Sequence, residues 1–134
     1  TDASLSFYRD RLGLQIAGQG ENYGTEQEHL NNVFGARLRI TTLRAASGPA
    51  VELLEYLAPT DGRPYPEDSR SNDLWHWQTR LFVGDTAAAA QALREDKVPF
   101  VSSGVVATPG RELGFAEGAL VRDPDGHVMQ LAHK

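Results

Sequence analysis

The chain has 134 residues, a formal net charge of −5, 40% apolar residues and no cysteine. That length is enough for one domain with a real core. No basic run is available to neutralise phosphates, which argues against nucleic acid or an anionic membrane surface as partner, and no stretch of ~20 apolar residues spans a bilayer. The lack of cysteine excludes disulfides, thiolate metal ligands and a thiol nucleophile, and fits a reducing, cytoplasmic setting.

In chain order, Ala3–Leu12 places Leu5, Tyr8 and Leu12 on one helical face with Phe7 beside it, Asp2 as N-cap and Gly13 as stop. Leu14–Ala17 reads as a short strand. Residues 21–32 are polar and aperiodic, a loop or partial helix. Arg37–Arg44 alternates, with Leu38, Ile40 and Thr42 on one side and Arg37, Arg39 and Thr41 on the other. Ser47-Gly48-Pro49 is a turn signal, after which Ala50–Leu57 returns as a strand.

Ala58–Asp73 carries three prolines and several charges, and reads as a connection between halves that also serves as a lid over a site. Leu74–Val83 is then expected as a strand, Thr86–Lys97 as an alanine-rich helix, and Pro99–Val106 as a further strand. A Pro109-Gly110 turn follows. Phe115–Arg122 and His127–Ala132 form a hairpin around Asp123-Pro124-Asp125-Gly126.

The two halves therefore repeat. Glu52 follows Asp2 by 50 residues and Gln130 follows Asp85 by 45, each in the last strand of its half. Residues 1–57 form the first unit, 58–73 the connection and 74–134 the second unit, within a single domain spanning 1–134. The second half reads strand, helix, three strands. The first half lacks its opening strand, and the economical expectation is that this strand precedes Thr1 in a longer chain.

This organisation resembles the vicinal oxygen chelate superfamily, the group of glyoxalases, bleomycin resistance proteins and dioxygenases. The residues that carry the resemblance are Ser4-Leu5-Ser6-Phe7-Tyr8-Arg9-Asp10-Arg11-Leu12-Gly13-Leu14, Val51-Glu52-Leu53-Leu54-Glu55-Tyr56 and Asp123-Pro124-Asp125-Gly126-His127-Val128-Met129-Gln130-Leu131. It implies an α+β fold: two paired βαβββ units forming a cupped mixed sheet, with helices on the convex face and the site on the concave one. The first strand of unit one is absent from this sequence. The resemblance further implies that one divalent metal ion, where present, takes ligands from the first and last strands of each unit. Those positions are Glu52, Gln78 and Gln130 here, with the fourth on the absent strand.

Strand alternation independently puts His76, Gln78 and Arg80 on one side of their strand, a polar cavity wall, and Trp75 and Trp77 on the other, against helices. Glu52 shares its face with Leu54 and Tyr56 and is the candidate catalytic carboxylate and metal ligand, unless it merely pairs with Arg39 or Arg80. His76, Arg80 and Tyr56 are candidate substrate-binding residues. Glu55 faces the other way as a surface charge, and His29, His127 and His133 are expected at the surface.

Gln130 stands where the family usually has glutamate. An amide takes up no proton, so it cannot be the base of an isomerisation, and it ligates metal only weakly through its carbonyl oxygen. Two functions follow from the resemblance. One is a metal-assisted enzyme of lyase or isomerase type acting on a small oxygen-bearing metabolite. The other is a metal-free, bleomycin-resistance-like protein that binds a small molecule or drug. The acidic balance suits a cationic ligand, and a homodimer is the expected assembly.

Overall fold

The computed structural model describes residues 1–110 and 112–134. They form two compact units, Thr1–Arg63 and Pro64–Lys134. The break therefore falls inside the segment read as a connection, dividing it between the units.

In the first unit, a one-turn helix α1 (Asp2–Leu5) passes directly into a π-helical segment, Ser6–Arg11. The expected helix is present, but its second half is wound wider: Leu12 N–H donates to Phe7 O at 3.1 Å, five residues back. Gly13, at φ +76°, ends the helix in a left-handed turn that favours glycine. Phe7 and Tyr8 are adjacent in sequence yet both buried, with rings edge-to-face and centroids 5.0 Å apart.

Strand β1 (Gln15–Tyr23) extends six residues past the expected strand end at Ala17. Its glycines and polar side chains carry little strand propensity of their own. The ladder with β2 (Arg37–Arg44), running from Gln15 opposite Arg44 to Tyr23 opposite Arg37, supplies what propensity does not. Helix α2 (Thr25–Asn31) occupies the polar stretch and stops at Asn32, which sits in the left-handed region at φ 53°. Strand β3 (Val51–Ala58) completes an antiparallel sheet in the order β1-β2-β3.

Register divides this sheet into two faces. Thr42, Ile40 and Leu38 lie opposite Glu52, Leu54 and Tyr56. The other face carries Arg39, Thr41 and Leu43, of which Thr41 and Leu43 are fully buried. On this second face Arg39 grips Glu55, with Nε 2.6 Å and Nη2 2.5 Å from the same carboxylate oxygen, and reaches Asp2 at 3.3 Å. Glu55 is thus a half-buried ion-pair partner, not the free surface charge expected from sequence. A hydrogen bond from Thr1 first, then Arg39, holds its carboxyl below the ordinary value of 4.5, with burial acting in the opposite sense.

A lowered folded-state pKa contributes stability that is present above the unfolded value and disappears as pH falls through the folded one. Urea unfolding below about pH 4.5 is therefore expected to show stability falling with pH, and falling less steeply in Glu55→Gln. Identical slopes for the two proteins would refute the assignment.

The second unit follows the order strand, helix, three strands: β4 (Gln78–Phe82), α3 (Thr86–Glu95), β5 (Val106–Ala107), β6 (Glu117–Arg122) and β7 (Val128–His133). The sheet order is β4-β7-β6-β5, with β4 parallel to β7 and the remaining pairs antiparallel. The first and last strands of the unit are neighbours.

Helix α3 begins where Asp85 Oδ1 accepts from Ala88 N–H at 2.8 Å. Its buried Ala90 and Leu93 belong to the core formed with Met129, Leu131, Ala119 and Val121, all at most 4% exposed. The expected strand over 99–106 is reduced to an isolated bridge, Phe100 with Val121, and the short β5. The cause is local: Leu120 N–H donates to Ser102 Oγ at 2.9 Å, and Arg94 donates to Ser103 O at 2.8 Å while stacking over the Phe100 ring. Side chains here take the partners a ladder would use.

Strand β4 is shorter than expected. Residues 74–77 form a turn in which His76 N–H donates to Asp73 O at 3.0 Å. Trp75, His76, Trp77 and Gln78 alternate by residue type, but the strand begins only at Gln78. Consequently Trp75 and Trp77 are half exposed and do not pack as a buried strand face.

Candidate functional site

Each unit presents a second sheet face opposite its main core, open around Glu52 and around Arg80 although Leu38, Val128 and Ala132 on these faces are buried, and the candidate residues distribute over the two. In the first unit, Glu52 is exposed and its carboxylate accepts from Thr42 Oγ1 at 3.1 Å, across the strand pair. Of the arginines considered from sequence as its partner, Arg39 is committed to Glu55 on the far face and Arg80 to Gln130. Tyr56, on the same face as Glu52, lines a cavity of about 460 Å³ together with Val33, Pro59, Asp61 and Arg63.

In the second unit, register puts Gln78, Arg80 and Phe82 of β4 beside Val128, Gln130 and Ala132 of β7, with Arg122, Leu120 and Gly118 of β6 beyond. At the centre, Arg80 Nε donates to Gln130 Oε1 at 2.6 Å. Nη1 of Arg80 donates to Leu113 O at 3.1 Å, and the guanidinium carbon lies 4.6 Å from the centroid of the Phe115 ring. Two hydrogen bonds and a ring contact thus fix this side chain, although it is exposed to solvent. Gln78 is exposed on the same face, two residues before Arg80. His76 lies outside β4, in the preceding turn, so strand alternation does not align it with Gln78 and Arg80.

His127 departs from the surface position expected of it. Its ring is 28% exposed, lies 4.5 Å from Trp77 and 5.3 Å from Tyr65 between centroids, and contacts Asp123 Oδ2 through Nδ1 at 3.2 Å. The sequence signal was available: a histidine four residues after an aspartate, across a tight turn, is within reach of that carboxylate. His29 and His133 are exposed, as expected.

The donors fit a metal poorly. Among the described residues no group of three or more His, Cys, Asp and Glu side chains is placed to hold one. Glutamine ligates only through its carbonyl oxygen, and that atom of Gln130 already accepts from a guanidinium. A divalent ion at that oxygen would displace the hydrogen bond and stand beside a permanent positive charge. Glu52 alone offers a strong hard donor.

Taken together, these features define an α+β protein whose open sheet faces carry polar and aromatic side chains above buried cores. The chain belongs to the Glyoxalase/Bleomycin resistance protein/Dioxygenase superfamily, whose family model matches residues 1–131. Solved structures share the fold. A glyoxalase family protein from Bacillus cereus matches at 19% identity and TM-score 0.77, over 98% of this chain and 85% of that one. The trypanothione-dependent glyoxalase I of Leishmania major matches at 22% identity and TM-score 0.59, over 98% and 77%. A lactoylglutathione lyase from Agrobacterium tumefaciens matches at 14% and 0.58, over 98% and 84%. No curated protein matches the sequence. Among the described residues, no helix is long and apolar enough to cross a membrane.

Proposed function

We propose that this chain is a small-molecule-binding member of its superfamily that recognises its ligand through side chains on the open sheet faces, without a resident divalent ion. The observation that carries this reading is the 2.6 Å bond from Arg80 Nε to Gln130 Oε1, which commits one of the two expected glutamine donors to a cation. The bleomycin-resistance-like alternative from sequence thereby becomes the better supported one. Arg80 serves as a ligand-binding residue, and Tyr56 lines a cavity large enough for a small molecule. His76, half exposed in the turn before β4, is a further candidate contact. A homodimer in the cytoplasm belongs to the same proposal. The outer edge of β3 has no strand partner among the described residues of its sheet, which supports pairing with a second copy, and the cysteine-free composition suits a reducing compartment.

A second reading, a metal-assisted lyase or isomerase, rests on Glu52. Its carboxylate is exposed on the open face of its sheet and accepts one hydrogen bond, leaving oxygen lone pairs for a metal or a substrate proton. In that reading Glu52 is ligand or base, with Gln78 and Gln130 as additional ligands.

Elemental analysis of the purified protein, with and without prior incubation in zinc, manganese or nickel salts, separates the two. The expected result is far less than one metal per chain, unchanged in Glu52→Ala. One metal per chain, lost in Glu52→Ala, would overturn the metal-free reading in favour of the enzyme.

A further inference from the structure

The chain is acidic overall, with 18 Asp and Glu against 13 Lys and Arg. The open face of the second-unit sheet reverses that balance. Following the registers of β4, β7 and β6, its charged side chains are Arg80 and Arg122, and Lys134 continues the alternation of β7 one residue beyond the strand. The carboxylate on β6, Glu117, has the opposite parity and faces away, as does His133 on β7. Among the strand residues that the registers place on this face, none is Asp or Glu. An acidic protein that gathers cations on one strand face has built a local field opposite in sign to its net charge.

The cations are also held in a particular way. Arg80 spends Nε on Gln130 and Nη1 on Leu113, which leaves its Nη2 edge without a hydrogen-bond partner among the described residues. Because Gln130 accepts from Arg80 through Oε1, its amide nitrogen is left to donate. Two donors therefore remain on neighbouring side chains at the middle of the face. Phe82 lies two residues further along β4, about 7 Å away. It is 52% exposed, and Lys134 Nζ stands 4.9 Å from its ring centroid. The half-buried Leu120 lies beyond Gln130 on β6.

We propose that the ligand taken by this face is an anion, a carboxylate on an apolar, planar body. Nη2 of Arg80 and the amide of Gln130 bind the carboxylate, Phe82 and Leu120 flank the body, and Lys134 adds a second positive charge. This reverses the cationic ligand suggested by net charge, and it deepens the metal-free reading above, on which it rests. A guanidinium supplies the positive charge that a metal would otherwise bring to an oxygen-bearing ligand. It does so with directional hydrogen bonds and a fixed plane.

The test uses three probes of one shape and different charge: benzoate, benzamide and benzamidinium, titrated at constant ionic strength into the 15N-labelled full chain. Benzoate is expected to shift the amide signals of residues 79–82, 120 and 130–132 together with the Arg80 side-chain Nε–H, while benzamide and benzamidinium leave them in place. Arg80→Gln is expected to weaken benzoate binding at least about tenfold, the scale of one charge-assisted hydrogen bond. Lys134→Ala, which leaves the centre of the sheet untouched, is expected to weaken it less. If Arg80→Gln disturbs the fold, Gln130→Leu supplies the second test, since it keeps the guanidinium but removes one donor and is expected to weaken benzoate severalfold.

Equal binding of benzamide would overturn the anion assignment while leaving the small-molecule reading standing. Failure of all three probes to perturb these signals would also overturn it. Stoichiometric metal in the elemental analysis would instead remove the reading beneath it.

Discussion

Replacing Leu131 by alanine is expected to cost about 2–5 kcal/mol of unfolding free energy, the range for deleting a fully buried leucine side chain. Leu131 is 0% exposed and sits in β7, between Leu81 of β4 and Ala119 of β6 in register. It faces the core that includes Leu93 of α3, which is 2% exposed. Its neighbours on β7 in the same core are Met129 at 1% and, across the pair, Val121 at 0%. A strand with a partner on each side cannot shift to fill the space that truncation leaves, so the cavity term adds to the lost burial. Leu131→Val, which keeps part of the volume and suits a strand, is expected to cost roughly half as much or less. Leu113→Ala is the control: that side chain is 59% exposed, and its loss is expected to fall within about 0.5 kcal/mol of zero. Denaturant unfolding of the three variants at neutral pH measures the order. A Leu131→Ala protein as stable as Leu113→Ala would refute this account of the core.

Asp123→Ala is expected to be nearly as damaging, about 2–4 kcal/mol, for a different reason. The Asp123 side chain is 3% exposed. One carboxylate oxygen accepts from the backbone N–H of Asp125 at 3.0 Å and of His127 at 2.8 Å, and the other meets the His127 ring at 3.2 Å. Alanine leaves those two N–H groups without this acceptor in a turn that also brings Gly126 N–H onto Asp123 O. It further releases the ring held between Trp77 and Tyr65. Asp123→Asn makes the argument specific. Asparagine retains one carbonyl oxygen for the two backbone donors, and its NH2 can donate to His127 Nδ1. It is expected to recover more than half of the lost stability. Equal losses in Ala and Asn would mean that the turn does not depend on this acceptor.

The parts of the fold visible in the sequence are those governed by short-range pattern. The alternation of residues 37–44, the alanine-rich stretch after Asp85 and the Asp-Pro-Asp-Gly turn each became the element expected, with boundaries moved by a few residues. The misreadings arose where pattern and space disagree. Trp75 to Gln78 alternate apolar and polar like a strand, but the chain bends back on Asp73 through His76, so both tryptophans ended on the outside. Gly18 and Gly20 concealed β1, whose extension is a property of its partner and not of its own residues.

The candidate site was half legible in the same sense. Strand alternation put Gln78 and Arg80 on one face, and the repeat pointed to Gln130. That Arg80 and Gln130 touch depends on a register between residues 50 apart, which no local spacing encodes. The same limitation hid the charge reversal, because composition sums over faces that the fold keeps separate.

The parallel pairing of β4 with β7 has a kinetic consequence. Hairpin β6–β7 closes over a turn of a few residues, and α3 forms from adjacent residues, so both assemble early. Each contact between β4 and β7 instead closes a loop of 50 residues, from Gln78 opposite Val128 to Phe82 opposite Ala132. That closure entropy is met only after the shorter-range pieces exist to receive the strand. β4 is therefore the last strand of its sheet to dock, and Arg80 meets Gln130 only at that final step. A refolding experiment that follows amide protection should find β6 and β7 protected before residues 78–82. The proposed ligand-binding face would then appear abruptly at the end of folding.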